Sequence, residues 1–258
     1  MKNYFRVSMF FSVLSAISPC AIMQSPIPES VGPNTLTQLE IADGWQLLFD
    51  GKTLTGWRGI GKEDIPKEHW KIVNGAIQKI ASGNVPTKAD GQPLKGGDLI
   101  TKNTYQNFEL KFEWRVSDGG NSGVKYNVDE SISIDNAWTG ALGYECQVLD
   151  DNKHSDNFNP THRAGSLYDM IEAKGKNLKP VGEYNSARIV FNGNIIEHWL
   201  NGKKVVEANT DSPEFTKLFE ASKYHKYPKF TIHKNAHIVL QDHGDDCWYR
   251  NIKIKILK

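Results

Sequence analysis

The chain of 258 residues has no excess charge of either sign. It carries 31 Lys and Arg residues against 30 Asp and Glu residues, a net charge of +1. This balance lacks the basic surplus expected of a partner of nucleic acid or of an anionic membrane. Beyond the amino terminus no apolar run is long enough to span a bilayer, so we expect no transmembrane segment.

Cysteine is scarce as well. Cys20, Cys146 and Cys247 are the three cysteines of the sequence, too few for a disulfide framework in a domain of this size. In an oxidising compartment Cys146 and Cys247 could pair, or they could lie apart as two buried thiols.

Several common catalytic motifs are missing from the sequence. It has no Gly-x-Ser-x-Gly nucleophile elbow, no phosphate-binding loop and no dinucleotide fingerprint. A pair of glycosidase carboxylates cannot be selected from 30 acidic residues without geometry. These motifs alone therefore do not predict which reaction the protein catalyses.

The amino terminus predicts export to the periplasm or the cell surface. Lys2 and Arg6 precede an apolar run from Val7 to Ile17, which is typical of a signal peptide over residues 1–23. Cys20 is a possible lipid anchor, although Pro19 fits a lipoprotein signal poorly. Residues 24–40 contain three prolines and read as a linker. One domain is expected over residues 41–258.

Alternation of apolar and polar residues predicts strands through most of that domain. The clearest runs from Glu109 to Val116, where every second side chain is apolar. Asn192-Gly193 and Asn201-Gly202 are tight-turn dipeptides. The other strand candidates are Trp45–Phe49, Trp70–Val73, Val124–Val128, Tyr144–Leu149, Arg188–Phe191, Ile195–Leu200, Ile238–Gln241 and Cys247–Leu257.

A single stretch is predicted to be helical. Ser212 can cap a helix over residues 212–221, in which Phe215, Leu218 and Phe219 recur at helical spacing. One helix cannot cover a parallel sheet. The sequence therefore predicts an all-β sandwich of two antiparallel sheets.

Residues of opposite parity to the core should form the polar faces of these strands. This rule places Lys125, Glu145, Gln147, Gln241 and His243 on outward faces. If their strands are neighbours, a polar cleft results. Otherwise the same residues form an ordinary solvated sheet face.

Parity also separates the next candidates. A bulge near Arg250-Asn251 could direct Arg250 toward the cleft. His198 has core parity and is expected to be a hydrogen-bonded core residue, whereas Trp199 faces the other way and could stack on a sugar ring. His154, His162 and Asp169 lie in a polar segment that is either a metal-binding loop or a set of solvated turns.

A series of short motifs runs in order through the domain. They are Gly44-Trp45, Leu48-Phe49-Asp50-Gly51-Lys52-Thr53-Leu54, Gly56-Trp57, Gly120-Asn121-Ser122-Gly123-Val124-Lys125-Tyr126, Glu145 and Gln147 with Leu149-Asp150-Asp151, His162-Arg163-Ala164-Gly165-Ser166-Leu167-Tyr168-Asp169, Glu197-His198-Trp199-Leu200-Asn201-Gly202, Leu240-Gln241-Asp242-His243-Gly244 and Arg250-Asn251-Ile252-Lys253-Ile254. With these motifs the sequence from Gly44 to Lys258 resembles the 3-keto-disaccharide hydrolase domain family. Cys146 departs from the family pattern, which usually has an aromatic residue there.

The resemblance implies a concanavalin A-like or laminin G-like jelly roll that cleaves glycosides carrying a ketone at carbon 3. Its substrate would be a small carbohydrate. A non-catalytic carbohydrate-binding module is the alternative, because the same sandwich often only binds sugar.

Within this resemblance the outward residues take roles in removing the hydrogen on carbon 2. His243 or Glu145 would be the base, Lys125 or Arg250 the electrophile, and His162 a further acid. A divalent cation held by Glu145 and His243 could stabilise the enolate instead. The expected substrate-binding residues are Asn121, Gln147, Arg163, Tyr168, Trp199, Gln241 and Arg250.

Overall fold

The computed structural model describes residues 1–2, 32–81, 97–135 and 140–258. Cys20 and nearly all of the predicted signal peptide lie outside these residues. Val31–Lys258 forms one compact unit. None of its described helices is long and apolar enough to cross a membrane.

Two antiparallel sheets form the domain, which confirms the predicted sandwich. The larger sheet has the order β11-β10-β9-β6-β13-β4-β3, with β1 also paired to β13, and the smaller has the order β2-β5-β12-β7-β8. The strands are β1 (Trp45–Leu47), β2 (Trp57–Gly59), β3 (Trp70–Val73), β4 (Ala76–Lys79), β5 (Leu99–Thr101), β6 (Phe108–Val116), β7 (Asn121–Val128), β8 (Tyr144–Leu149), β9 (Asn185–Asn192), β10 (Ile195–Leu200), β11 (Lys203–Asn209), β12 (His237–Leu240) and β13 (Cys247–Ile256).

Turn chemistry sets the hairpins of the larger sheet. Gly193 has a φ of 57° in the turn from β9 to β10, and Asn201 and Gly202 have φ of 48° and 82° between β10 and β11. These left-handed conformations suit Asn and Gly. Both predicted hairpin turns are therefore confirmed.

Within the described residues, three short α-helices accompany the strands: α1 (Gln38–Ala42), α2 (Glu130–Asp135) and α3 (Pro213–Ala221). Helix α3 is the predicted one, and Ser212 caps it by accepting a hydrogen bond from the Phe215 amide at 3.1 Å. Helices α1 and α2 were not predicted. Although α1 begins within the segment expected to be a linker, Glu40 is paired with Lys253 of β13 at 2.8 Å.

The core between the sheets is aromatic and includes His198. The Tyr126 hydroxyl lies 2.8 Å from His198 Nε2, and His198 Nδ1 lies 3.0 Å from the Gly165 carbonyl oxygen. Burial lowers the pKa of His198 to about 4, so it is neutral. This confirms His198 as a core residue. Cys146 and Cys247 are both buried free thiols.

The smaller sheet is buried on both faces around β7 and β8. Every residue of Asn121–Val128 and of Tyr144–Leu149 is buried. The chain after β8 extends the edge of the sheet, because the Gly165 amide donates to the Gln147 carbonyl at 2.8 Å and the Tyr168 amide to the Glu145 carbonyl at 3.0 Å. The side chains of Asp156 and Tyr168 in this segment cover part of the outward face. The outward side chains therefore do not form a solvated sheet face.

A buried ion pair joins the two sheets beside this covered face. Asp242, which follows β12, lies 2.9 Å from Lys79 Nζ of β4 and 2.5 Å from His69 Nδ1. The Asp242 amide also donates to Asp98 Oδ1 at 2.8 Å. The Asp242 side chain points inward, whereas those of its neighbours Gln241 and His243 point outward. The contacts of Asp242 therefore hold the backbone between these two outward residues in place.

Removing the cation of this pair should destabilise the fold. We predict that Lys79→Met lowers the free energy of unfolding by about 3 kcal/mol, because it leaves the Asp242 carboxylate buried without its ammonium partner. Urea unfolding measures the change. The matched control is Lys71→Met on the exposed side of β3, and equal effects of the two changes would contradict the prediction.

Candidate active site

The covered face of the smaller sheet contains a polar pocket. Six of its residues come from β7, β8 and the chain after β12, and four come from the segments that cover the sheet. The lining residues are Asn121, Lys125, Glu145, Gln147, Gln241 and His243 from the sheet, and Asp156, Tyr168, Lys223 and Tyr224 from the covering segments.

Glu145 and Lys125 lie opposite each other on β8 and β7. The Glu145 carboxylate is 3.7 Å from Lys125 Nζ, which also donates to the Ala141 carbonyl at 3.0 Å. Burial raises the pKa of Glu145, and the positive charges of Lys125 and Lys223 oppose that rise. A carboxyl group whose pKa is raised toward neutrality is suited to exchange protons with a substrate.

Gly123 provides the space that the Glu145 carboxylate occupies. A Cβ atom at residue 123 would lie 2.2 Å from Glu145 Oε1, far inside van der Waals contact. Any larger residue would therefore displace the carboxylate. The glycine in β7 is explained by this close approach.

Amide groups line the pocket beside His243. Gln147 Nε2 donates to Asn121 Oδ1 at 3.3 Å, so Asn121 Nδ2 is the atom that donates to His243 Nε2 at 3.3 Å. The Oε1 atoms of Gln147 and Gln241 are buried and accept no hydrogen bond from the described residues. Buried acceptors of this kind usually bind water or a ligand, so both can accept hydrogen bonds from hydroxyl groups.

His162 lies behind the pocket wall and not on it. Its ring is between Asp156 at 2.6 Å and Asp169 at 2.8 Å, stacked on Tyr168 with 4.2 Å between ring centroids. Burial alone would lower its pKa, but the hydrogen bonds to the two carboxylates raise it to about 9. The predicted acid is thus a charged residue that positions Asp156 and Tyr168.

Three other predicted site residues lie elsewhere. Arg250 pairs with Glu113 at 2.7 Å, and Trp199 lies 4.1 Å below the Arg188 guanidinium. Both belong to the larger sheet, and Trp199 lines a separate groove of about 450 Å³ there. Arg163 donates to the Asn157 carbonyl at 2.9 Å within the covering segment. Parity predicted a face for each strand, but it could not assign the strand to a sheet.

Asp156, Lys223 and Tyr224 line the pocket but were not predicted. The Lys223 amide donates to Asp169 Oδ2 at 2.6 Å, and Lys223 Nζ lies 4.4 Å above the Tyr168 ring. Burial lowers the pKa of Lys223. These residues lie in 3₁₀ turns (Ser155–Phe158 and Lys223–Lys226) without a hydrophobic period, so parity does not apply to them.

The residues that could hold a metal differ from the predicted pair. In the part of the chain that the structure describes, the ligand atoms of His154, His243 and Asp245 lie within 4.8 Å of one another. Glu145 is not in this cluster, because its carboxylate lies beside the ammonium group of Lys125. Of the polar segment singled out in the sequence, only His154 contributes to the cluster.

Fold and pocket together define a class: a two-sheet jelly roll that encloses a polar pocket on its smaller sheet. The 3-keto-alpha-glucoside-1,2-lyase-like domain matches residues 44–255. The chain belongs to this family. Membership supports an enzyme that acts on glycosides.

Relatives agree with that assignment. The 3-keto-disaccharide hydrolase of Bacteroides thetaiotaomicron is 40% identical over 235 residues, covering 84% of this chain and 79% of the relative. A crystal structure from Parabacteroides distasonis, provisionally named a glycosyl hydrolase, is 29% identical with a TM-score of 0.77, covering 88% of this chain and all of its own. A second such structure from that organism is 28% identical with a TM-score of 0.59, covering 83% of this chain and 99% of its own.

The charged state of His162 should appear in the pH dependence of stability. Since its pKa rises from 6.5 to about 9 on folding, its contribution is complete below pH 6.5 and is lost as pH rises through 9. We predict that the free energy of unfolding falls by about 2 kcal/mol more in the natural protein than in His162→Gln between about pH 7 and 10. Urea titrations at each pH test this, and parallel curves would refute it.

Proposed function

We propose that the protein cleaves 3-keto-glycosides by removing the hydrogen on carbon 2 and eliminating the substituent on carbon 1. The observation that carries this proposal is the buried Glu145 carboxylate beside Lys125 in an enclosed pocket. Family membership supplies the substrate class.

The proposed reaction needs an acidic hydrogen, a base and an electrophile. A ketone at carbon 3 acidifies the hydrogen on carbon 2. When that C–H bond breaks, its electrons form an enolate whose negative charge rests on the ketone oxygen. The enolate then collapses, the carbon 1–oxygen bond breaks, and the leaving group takes a proton. Water can add across the resulting double bond, which makes the net reaction hydrolysis.

Glu145 is the proposed base. Burial has already raised the pKa of its carboxyl group, and no described side chain donates a hydrogen bond to it, so its lone pairs face the pocket. Lys125 and Lys223 are positive groups on two walls of the same pocket and can stabilise the enolate oxygen. The proton that Glu145 removes can then pass to the leaving group, which balances the elimination.

An ordinary glycosidase mechanism fits the site less well. It needs two carboxyl groups free to act on opposite sides of the glycosidic bond. Asp156 is the second carboxylate in the pocket lining, but its Oδ1 is bonded to His162 at 2.6 Å and its Oδ2 accepts from the Tyr168 hydroxyl at 2.9 Å. Both carboxylate oxygens of Asp156 are therefore already hydrogen-bonded within the protein and are not free to act on a substrate.

Substrate binding must open the pocket. The cavity measures about 10 Å³, room for roughly one water molecule and far too little for a sugar ring. Lys223 and Tyr224 belong to a 3₁₀ turn that is not part of either sheet. We propose that this turn moves aside, after which the Gln147 and Gln241 amide oxygens accept hydrogen bonds from sugar hydroxyls.

The proposal predicts strong discrimination by the ketone. A 3-keto-glucoside should be cleaved and the parent glucoside left essentially intact, because its carbon 2 hydrogen is too weakly acidic for a carboxylate. Glu145→Gln should lower turnover by about 10²-fold or more. Product release measured by chromatography gives both results, and Glu207→Gln, which alters an exposed carboxylate of β11, is the matched control.

Two outcomes would contradict the proposal. Equal turnover of the oxidised and unoxidised glycosides would exclude elimination. Sugar binding without any turnover would favour the carbohydrate-binding module.

A further inference from the structure

We infer that His154, His243 and Asp245 form a divalent-metal site at the edge of the pocket. The residues come from two separate segments, one after β8 and one between β12 and β13. His243 also lines the pocket. Metal binding by these residues stands independently, whereas a role in catalysis rests on the function proposed above.

The spacing of the three side chains suits a shared ion. Their ligand atoms lie within 4.8 Å of one another, and the rings of His154 and His243 meet edge to face with centroids 5.8 Å apart. Two ligands of one ion at about 2.1 Å each lie no more than about 4.2 Å apart. Small side-chain rotations therefore close the site.

Asn121 holds Asp245 in place, because its backbone amide donates to Asp245 Oδ2 at 3.0 Å. Its Nδ2 donates to His243 Nε2 at 3.3 Å, so coordination through that nitrogen replaces this long hydrogen bond. Contacts to ligand residues from a second layer of groups are common around protein metals.

His154 must change its hydrogen bonding to join the site. Its Nδ1 accepts a hydrogen bond from the Asp156 amide at 3.0 Å, so the neutral ring carries its proton on Nε2. Coordination through Nε2 moves that proton and breaks this cap. Loss of such a cap lowers the equilibrium constant for folding by about fivefold. The gain from metal–imidazole bonds is larger than this cost by orders of magnitude.

The ligand set indicates which ions fit. Two imidazoles and one carboxylate favour Mn²⁺, Fe²⁺, Co²⁺, Ni²⁺ or Zn²⁺ over Ca²⁺ and Mg²⁺, which prefer all-oxygen sites. Three protein ligands leave coordination positions open, as catalytic metal sites require. An ion there could polarise the ketone oxygen of a substrate in the adjoining pocket.

Metal binding can be measured without any substrate. The full-length protein is stripped with a chelator and titrated calorimetrically with Mn²⁺ and with Zn²⁺, and retained metal is counted after dialysis. We expect about one ion per chain, and a loss of affinity of about 10²-fold or more in His154→Ala and in Asp245→Asn. His233→Ala, outside the cluster, should bind as the natural protein does. Absent or superstoichiometric binding, or unchanged affinity in both variants, would overturn the inference.

Parallel assays separate this inference from the proposed function. If the stripped protein binds no metal and still cleaves a 3-keto-glycoside, the metal site is refuted and the proposed function stands. If one ion binds and is lost in the variants, while no 3-keto-glycoside is cleaved, the site stands and the proposed function fails.

Discussion

Burial of the outer face of the smaller sheet is the constraint on which the site depends. Glu145 is 3% exposed and Lys125 is 4% exposed, so water solvates neither charge well. A buried charge is costly unless it is paired and hydrogen-bonded. Glu145 is paired with Lys125 at 3.7 Å but accepts no hydrogen bond from a described side chain, and burial therefore raises the pKa of its carboxyl group.

Structural charges are kept apart from those that face the pocket. Asp242 points inward to Lys79 and His69, while its neighbours Gln241 and His243 point into the pocket. On the covering side, the charged His162 is hydrogen-bonded to Asp156. Of the two carboxylates that line the pocket, Glu145 is therefore the one that can react with a substrate. Each network holds one wall of the site in place.

Local pattern predicted the strands and their faces well. The bounds of β6 and β8 match the alternation in the sequence, and parity correctly predicted that Glu145, Gln241 and His243 share a face. The pairing of strands that are far apart in the sequence cannot be predicted from local pattern. Parity placed Arg250 correctly on its strand, yet β13 pairs with β6 in the larger sheet. Lys223 and Tyr224 lie in a turn that reaches the pocket only through tertiary packing, and no periodicity marks it.

The fate of the hydrogen on carbon 2 tests the central claim most directly. A 3-keto-glycoside labelled with deuterium at carbon 2 is cleaved by the protein, and the sugar product is examined by mass spectrometry beside a sample without protein. Elimination followed by hydration predicts that the label is lost to solvent during cleavage. Retention of the deuterium in the cleaved sugar would contradict the account, because direct displacement at carbon 1 never breaks that bond.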